Sequence, residues 1–191
     1  MNETSKAMRR RACEDIANGD DYWSTIFRGA GIDIGPGRDP LRITREGVTV
    51  QLFDQAQGDA NRLSTYFPPG CFDFIHASQA LEHMHDPEAL DDWLTLLRPG
   101  GHAVITVPDW HLYEQMHWPS RWNPDHKSTW SMSAKGSPAR NHVHVPKWGL
   151  KRGMIRARLI DNNYNYAITN LDQTADEAAG VEAFIEMVFK R

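Results

Sequence analysis

Cysteine is scarce in this sequence, and long apolar runs are missing from it. Two cysteines, Cys13 and Cys71, in 191 residues exclude a disulfide framework of the kind that small secreted domains need. No apolar stretch reaches the roughly 20 residues that a membrane-spanning helix requires, and the polar start of the chain, residues 1–21, has no signal-peptide pattern. We therefore expect one globular protein of a reducing compartment, the cytoplasm, without a membrane span.

An excess of positive charge is also missing. The formal net charge of −4 and the isoelectric point near 6.1 give no overall attraction to the phosphate backbones of nucleic acids. The C-terminal third nevertheless contains a basic stretch, formed by Arg140, Lys147, Lys151, Arg152, Arg156 and Arg158. Such a stretch is typical of a solvated face. The alternative is a site for an anionic substrate such as a nucleotide sugar or a phosphorylated glycan.

A short apolar run that leads into a glycine-rich turn is the most informative segment. Ile32 and Ile34 flank Asp33 as in a short buried strand. The Gly-Pro-Gly turn that follows, residues 35–37, allows the backbone to pass close to a ligand, and its proline stiffens the turn. Because a buried carboxylate needs a partner, Asp33 indicates a function rather than a packing role.

The spacing of these glycines distinguishes between two nucleotide ligands. The dinucleotide-binding loop G-x-G-x-x-G opens directly into a helix, but Asp39 and Pro40 stand near the place of its third glycine. Asp39 would also bring a negative charge close to a pyrophosphate, which works against anion binding at a helix N-terminus. The turn therefore favours S-adenosylmethionine, whose sulfonium and ammonium groups are positive, over a nicotinamide dinucleotide.

Apolar runs and polar tips continue to alternate after this turn. The run Val48 to Phe53 ends in Asp54, an acid placed to hold a ribose diol, and Gly58 to Asn61 is a polar tip suited to the edge of an adenine. Three further elements are predicted: a strand over Phe72–Ser78, a helix that begins at Asp86-Pro87 with Leu90, Trp93, Leu94 and Leu97 on its buried side, and a strand over Ala103–Asp109.

The motifs occur in the order D-I-G-P-G, an acid after the second strand, G-D-A, F-D-x-I-x-A-S-x-x-L-E-H, L-R-P-G-G and V-P-D. In this order they resemble the class I S-adenosylmethionine-dependent methyltransferases, and within them the small bacterial methyltransferases of the type 11 and type 23 group. The resemblance covers about residues 31–109, the cofactor half. It implies a single α/β domain with a Rossmann-like, mostly parallel sheet of the seven-strand type, an antiparallel last strand and some shortened helices.

The resemblance also implies a role for each matching residue. It places Asp33 and the turn of Gly35, Pro36 and Gly37 against the methionine part of the cofactor. It places Asp54 at the ribose hydroxyls, and Asp59 and Ala60 at the adenine. Ser78 should lie on the methionine side and face the opening through which the substrate enters. The alternative for Asp54 and Asp59 is that they are ordinary turn acids. One departure concerns the segment between Asp54 and Gly58, where three residues stand in place of the helix and strand that the family normally has. Either this segment is shortened, or Asp54 does not mark the end of the second strand.

The stretch after residue 109 mixes aromatic and polar residues without a clean period. We expect residues 110–130 to form a loop or lid over the carboxyl edge of the sheet, where ligands bind in open α/β folds. Aromatic faces beside hydrogen-bonding groups suit sugar rings, so the predicted substrate contacts are Tyr113, Arg121, Trp122 and Asn123. The alternative is that the tryptophans only seal a core within the lid.

The pattern P-S-R-x-N-x-D-H-K in this stretch resembles that of relatives often associated with cell-surface glycan pathways.

Transfer to an oxygen acceptor needs a base, for which histidine is suited near neutral pH. His126 is the first candidate because the neighbouring Asp125 could orient its ring, and His83 and His117 come next.

A metal site could be imagined from His142 and His144, at strand spacing, together with His126 and Asp125. No third ligand is defined by the pattern, however. We therefore predict no metal site.

Motif order divides the predicted single domain, residues 1–191, into four parts. These are an N-terminal helical segment (1–30), which includes a helix over Met8–Asn18, the cofactor half (31–109), the lid (110–145) and the C-terminal strands (146–191). Within the last part we predict a short helix over Pro146–Gly153, a strand over Arg156–Asp161, a helix that begins at a capping box of Thr174 and Glu177 and ends near Gly180, and a reversed strand from Ala183.

Together these observations predict methyl transfer from S-adenosylmethionine to a small hydroxylated acceptor such as a sugar or glycan precursor. Two alternatives stay open: a non-catalytic cofactor-binding module or partner subunit, and a NAD-dependent oxidoreductase on a related sheet. A DNA partner is not expected, because amino methylation would need D/N-P-P-Y where the chain has Ser78-Gln79-Ala80-Leu81, and the Pro-Cys pair for pyrimidine carbons is missing. The pattern leaves the oligomeric state open.

Overall fold

A six-stranded sheet runs through the centre of the computed structural model, which describes residues 3–18, 22–163, 166–172 and 181–191. In chain order the helices and strands are α1 (Glu3–Asn18), β1 (Ala30–Ile34), β2 (Thr49–Phe53), β3 (Phe72–Ser78), α2 (Ala89–Thr95), β4 (Leu97–Pro108), β5 (Thr129–Ser131), β6 (His142–His144), α3 (Val145–Leu150), β7 (Met154–Asp161) and β8 (Ala183–Lys190). A π-helical turn covers Tyr22–Ile26, and 3-10 turns cover Ala60–Thr65 and Leu81–His83.

The sheet has the order β2-β1-β3-β4-β8-β7, and β5 and β6 form a separate pair. Strands β1 to β4 run parallel, whereas β8 runs antiparallel to both of its neighbours. The central strands are almost continuous apolar runs because layers cover both faces of the sheet. The predicted α/β fold, with a mostly parallel sheet and a reversed last strand, is confirmed.

Within the described residues the sheet has six strands, one fewer than the seven-strand type. The three residues between Asp54 and Gly58 are too few for a helix and a strand, so the chain passes from β2 directly toward the 3-10 turn Ala60–Thr65. Strand β2 therefore forms the edge of the sheet. Residues 35–48, between β1 and β2, contain no helix either.

Two apolar layers fix the sheet between the helices. On one face Ile32 and Ile34 belong to the same core as Trp93 of α2. On the other face the rings of Phe27 and Phe74 meet edge to face with centroids 5.3 Å apart, next to Tyr22. The aromatic segment after α1 thus packs on the central strands.

Several element boundaries differ from the predicted ones, most of them by a few residues. α1 begins at Glu3 rather than Met8, and α2 begins at Ala89, after a turn in which the Asp86 carboxylate accepts a hydrogen bond from the N–H of Glu88 (2.9 Å). Leu97, expected on the buried side of this helix, instead begins β4, because its backbone pairs with β3. The predicted capping box of Thr174 and Glu177 and the helix end at Gly180 lie outside the described residues.

Two expectations about the whole chain concern the thiols and the membrane. Cys13 and Cys71 are both free. Within the described residues, no helix combines the length and the apolar character needed to cross a bilayer.

A buried ion cluster holds α1 against the sheet. Glu186 of β8 is fully buried, and its carboxylate accepts hydrogen bonds from Arg11 (2.8 Å), Arg10 (2.9 Å), Arg158 (2.7 Å) and the Tyr22 hydroxyl. Burial alone would raise the pKa of Glu186, but the three guanidinium groups hold it well below its usual range. Burial and the same carboxylate raise the pKa of the Tyr22 hydroxyl, which therefore stays protonated and donates.

This cluster predicts how stability depends on pH. Because the pKa of Glu186 is lower in the folded protein than in the unfolded chain, its stabilisation is complete above the ordinary glutamate pKa of 4.5 and is lost as the pH falls through the folded value. We expect Glu186→Gln to lower the free energy of unfolding by about 3–5 kcal/mol near neutral pH, since it leaves buried charges uncompensated. Urea unfolding from about pH 7 to pH 3 should show this deficit shrinking below pH 4.5.

Glu46→Gln is the matched control, because Glu46 is an exposed glutamate between β1 and β2. It should change the free energy of unfolding little at any pH. A deficit in Glu186→Gln that stays constant down to low pH would contradict the assigned ion cluster.

Candidate functional site

A crevice of about 530 Å³ opens at the carboxyl ends of β1, β2 and β3. Gly35, Asp54 and Gln79, the residues that directly follow these strands, all line it. The strand order reverses between β1 and β3, and open α/β sheets bind ligands at such a switch point. The volume lies in the range of small-molecule sites, so this crevice is the candidate ligand site.

The turn after β1 forms one wall of the crevice. Gly35 has a φ of +65°, and a Cβ atom there would lie 2.7 Å from the Cβ of Ala80. The N–H of Gly35 donates to the carbonyl of Phe53 (2.8 Å), and the N–H of Gly37 donates to Oδ2 of Asp54 (2.9 Å). These bonds tie the ends of β1 and β2 together, and the glycines bring bare backbone to the ligand site.

Two acids lie on the rim of the crevice. The second carboxylate oxygen of Asp54 accepts from the N–H of Gln55 (2.7 Å). Oδ1 of Asp59 accepts from the side-chain and backbone N–H groups of Asn61 (2.7 and 2.9 Å), and these bonds lower the pKa of Asp59. The carbonyl of Ala60 accepts from the indole of Trp93 (2.7 Å), which fixes the tip to α2. Of the eight predicted cofactor residues, five line the crevice: Gly35, Gly37, Asp54, Asp59 and Ala60.

Asp33 lies behind the glycine turn rather than in the crevice. Its side chain is 1% exposed, its Oδ1 lies 2.7 Å from Nδ1 of His76, and its Oδ2 accepts from the N–H of Leu41 (2.6 Å). Successive side chains of a strand point to opposite faces, so Ile32 and Ile34 face the α2 side while Asp33 faces α1. This placement differs from the predicted contact with the cofactor.

Pro36 and Ser78 also lie outside the crevice lining. The hydroxyl of Ser78 accepts a hydrogen bond from Thr106 (3.0 Å), and the next residue, Gln79, lines the crevice instead. Gln79 has a φ of +56°, a sharp turn that no sequence pattern indicates. Sequence reasoning also missed further lining residues, namely Met84, His85 and Lys127.

A carboxylate–histidine cluster lies in the wall of the crevice. Glu82 is 0% exposed, and neither of its carboxylate oxygens has a hydrogen-bond partner among the described residues. Nε2 of His83 and Nε2 of His126 each lie 3.9 Å from Oε1 of Glu82. The side chain of His126 is 3% exposed, and Glu114, at 2.6 Å from its Nδ1, is its closest partner. His83, with 29% of its side chain exposed, is the member that lines the crevice.

The electrostatics of this cluster follow from burial and mutual proximity. Burial raises the pKa of Glu82 to about 7. The negative charges of Glu114 and Glu3 also raise it, whereas the attraction of His126 lowers it. Burial and the nearby His126 lower the pKa of His83 to about 4. Burial alone would lower the pKa of His126, but the hydrogen bond with Glu114 and the charge of Glu82 raise it.

In the structure the predicted catalytic residues have partners other than those predicted from the sequence. His126 pairs with Glu114, whereas the carboxylate of Asp125 lines the crevice and its backbone carbonyl lies 3.3 Å from Nδ1 of His83. Neighbours in a turn point in different directions, so sequence adjacency did not identify the orienting carboxylate. His117 lies apart from the crevice, with Nδ1 at 3.1 Å from Arg121.

The predicted substrate residues form the lid rather than the crevice lining. The indole of Trp122 donates to the carbonyl of Tyr113 (3.0 Å), and both pack in a small apolar core with Phe184. The carbonyl of Asn123 accepts from the N–H of His126 (3.2 Å), which supports the cluster from behind. This arrangement matches the alternative in which the aromatic residues seal the lid.

The basic stretch is divided between two faces of the molecule. Arg152 pairs with Glu88 and Asp91, Arg158 pairs with Glu186, and Arg156 lies over the ring of Tyr22. Arg140, Lys147 and Lys151 line a separate open groove of about 480 Å³, together with Asp86 and Glu88. Since acids accompany these bases, the geometry favours a solvated, ion-paired face.

His142 and His144 lie on β6, where Nδ1 of His142 is 2.9 Å from the hydroxyl of Thr129. They line the open groove and take no part in the carboxylate–histidine cluster.

Comparison with known proteins decides the family. A model of methyltransferase domains matches residues 13–143, which is more than half of the chain. The chain belongs to this methyltransferase family. The resemblance to class I methyltransferases is thereby confirmed. No curated protein matches this chain significantly.

Solved structures share the fold of this chain at low identity. They include an S-adenosylmethionine-dependent methyltransferase of Methanosarcina mazei (13% identity, TM-score 0.50, covering 86% of this chain and 93% of that one), a candidate methyltransferase of Bacillus halodurans (12%, 0.56, 90% and 97%) and an S-adenosylmethionine-dependent methyltransferase of Mesorhizobium loti (14%, 0.50, 91% and 99%). These similarities establish a Rossmann-like methyltransferase fold.

The glycine turn after β1 allows a test of the crevice wall. Gly35 and Gly47 both have a positive φ, of +65° and +76°, but a Cβ atom at Gly47 would meet no heavy atom within 4 Å. We expect Gly35→Ala to cost about 1–3 kcal/mol more than Gly47→Ala, because only the first adds a clash to the backbone strain. Urea unfolding of both variants measures the difference, and equal losses would contradict the close packing of the turn on Ala80.

Proposed function

We propose that this methyltransferase transfers the methyl group of S-adenosylmethionine, bound in the crevice, to a hydroxyl group of a small acceptor such as a sugar or glycan precursor. The observation that carries the proposal is the junction at the ends of β1 and β2. There the bare backbone of Gly35 and Gly37 meets the carboxylate of Asp54.

The crevice offers a suitable surface for each part of the cofactor. The turn at Gly35 and Gly37 would take the methionine part, where acidic groups and carbonyls suit a cation. Asp54, at the end of β2, would accept hydrogen bonds from the ribose hydroxyls. Asp59 and Ala60 would border the adenine. Asp33 would act from behind, by holding the far end of the turn through Leu41.

The acceptor would approach from the wall opposite the glycine turn. His83, Asp125 and Lys127 line that side of the crevice and offer both donors and acceptors to hydroxyl groups. Trp110 and Trp130 of the lid are buried, so the support for a hydroxylated acceptor comes from this polar wall rather than from an aromatic platform.

The reaction is an in-line displacement that mainly requires alignment and exclusion of water. The acceptor oxygen attacks the methyl carbon, the carbon–sulfur bond breaks, and its electron pair remains on sulfur as S-adenosylhomocysteine. The hydroxyl proton leaves to the polar wall at the carboxylate–histidine cluster. His126, the first base candidate, does not line the crevice and packs against His83, with ring centroids 5.0 Å apart, so we assign proton handling to the cluster rather than to one ring.

A nicotinamide dinucleotide suits this geometry less well. Its pyrophosphate would need a helix N-terminus directly after the glycine turn, and residues 35–48 contain no helix. A cytoplasmic location follows from the proposed cofactor, which is an intracellular metabolite.

Binding of S-adenosylhomocysteine tests the cofactor assignment. We expect wild type to bind it in calorimetry and Asp54→Asn to bind about 10–100-fold more weakly, because a hydrogen bond to a charged group contributes about 1.5–3 kcal/mol. Glu46→Gln is the control and should bind as wild type does. Equal affinity of Asp54→Asn, or binding of NAD(H) in place of S-adenosylhomocysteine, would overturn the assignment.

Turnover tests the acceptor assignment. Incubation with S-adenosylmethionine and a panel of monosaccharides and nucleotide sugars should release S-adenosylhomocysteine with at least one of them. Asp125→Asn should lower kcat/KM for that acceptor while leaving the affinity for S-adenosylhomocysteine unchanged. Tight cofactor binding without turnover across the panel would instead favour the non-catalytic module.

A further inference from the structure

We propose that Glu82, His83 and His126 bind a divalent transition-metal ion in the wall of the crevice. One carboxylate oxygen and two imidazole nitrogens, each a possible ligand atom, lie within 4.8 Å of one another. Oε1 of Glu82 is 3.9 Å from Nε2 of either histidine. Ligands held about 2.0–2.2 Å from one ion are separated by roughly 3–4 Å, so the three atoms already have nearly the required spacing.

The hydrogen bonds behind the two histidines support this assignment. Nδ1 of His126 lies 2.6 Å from Oε1 of Glu114, and Nδ1 of His83 lies 3.3 Å from the backbone carbonyl of Asp125. An oxygen at Nδ1 places the ring proton there and leaves the lone pair on Nε2. Metal-binding histidines typically have such a carboxylate or carbonyl partner. Both rings therefore present Nε2 to the same carboxylate.

The environment of Glu82 supplies an independent reason. Its carboxylate is completely buried and has no hydrogen-bond partner among the described residues, although burial of a lone carboxylate is costly. Glu114 and Glu3 add further negative charge, while the ammonium group of Lys127 is turned to the carbonyl of His83 (3.2 Å). A cation between Glu82 and the two histidines would compensate the buried carboxylate of Glu82.

The ligand set indicates the class of ion. Two imidazoles and one carboxylate suit Mn²⁺, Fe²⁺, Co²⁺ or Zn²⁺, whereas Mg²⁺ and Ca²⁺ prefer oxygen ligands only. Three protein ligands also leave coordination positions open. This conclusion departs from the sequence analysis, which predicted no metal site.

The use of such an ion rests on the proposed function. Because His83 lines the crevice, the open positions would border the acceptor. A divalent ion makes a bound hydroxyl more acidic and fixes its position. With the ion bound, the proton would leave to solvent, and the nitrogens and carboxylate oxygen of the cluster would act as metal ligands rather than as the proton acceptor.

Metal titration of the chelator-treated protein tests the proposal. Calorimetry with Zn²⁺, and visible absorption with Co²⁺, should each give one ion per chain, whereas Mg²⁺ at the same concentration should not bind. We expect Glu82→Gln to weaken Co²⁺ binding at least about 100-fold, and the positioning variant Glu114→Gln by about 10–100-fold. His85→Gln is the matched control, because His85 lines the same crevice outside the cluster, and its affinity should equal that of wild type.

Two outcomes would overturn the proposal: no binding of Zn²⁺ or Co²⁺ up to about 1 mM, or equal affinity in wild type and Glu82→Gln. If Glu82→Gln does not fold, His83→Ala takes its place, since this side chain is partly exposed. Titration of the metal-free protein with S-adenosylhomocysteine separates the two proposals. Cofactor binding without metal binding refutes only the metal site, whereas metal binding without cofactor binding refutes the proposed function.

Discussion

A buried chain of polar contacts beneath the sheet determines where the glycine turn lies. Asp33 on β1 contacts His76 on β3, His76 lies 3.3 Å from Arg11 of α1, and Arg11 pairs with Glu186 on β8. Asp33 also accepts the N–H of Leu41, so the same carboxylate anchors the chain where it leaves the turn. Because a buried charge that loses its partner is costly, these residues hold β1, α1 and the turn as one unit. The crevice depends on that unit although none of its side chains lines it.

Among the described residues, the sheet contains the strands whose ends form the crevice but lacks other elements of the seven-strand fold. The seventh strand and the helix between β1 and β2 are missing from the described residues, which leaves β2 as an edge with Leu52 exposed. The crevice nevertheless keeps the residues that directly follow β1, β2 and β3, namely Gly35, Asp54 and Gln79. Gly35 and Gly37 hydrogen-bond directly to Phe53 and Asp54. The two strand ends are thus joined without an intervening helix, which explains how a short chain can retain a methyltransferase fold.

The strands could be predicted from the sequence, whereas the partners of the polar side chains could not. Runs such as Phe72–Ser78 are apolar because both faces of the sheet are covered, and this property is local. The partner of His126 is Glu114, twelve residues earlier, rather than the adjacent Asp125, because the path of the lid decides which carboxylate comes close. The burial of Glu82 is likewise a property of the assembled fold. The L-E-H motif marked the family, but no periodicity distinguishes an inward glutamate from a solvated one.

The 3-10 turn Leu81–His83 connects the cofactor half with the lid. The N–H of Lys127 donates to the carbonyl of Glu82 (2.8 Å), and its ammonium group donates to the carbonyl of His83. This turn follows β3, whose end borders the glycine turn, so the lid is fastened to the strand ends through backbone as well as side chains. Methyl transfer depends on the alignment of acceptor and cofactor within fractions of an ångström. Under the proposed function, His83 is therefore a residue through which a small shift of residues 110–130 would reach the acceptor, because it lies in this turn and lines the crevice.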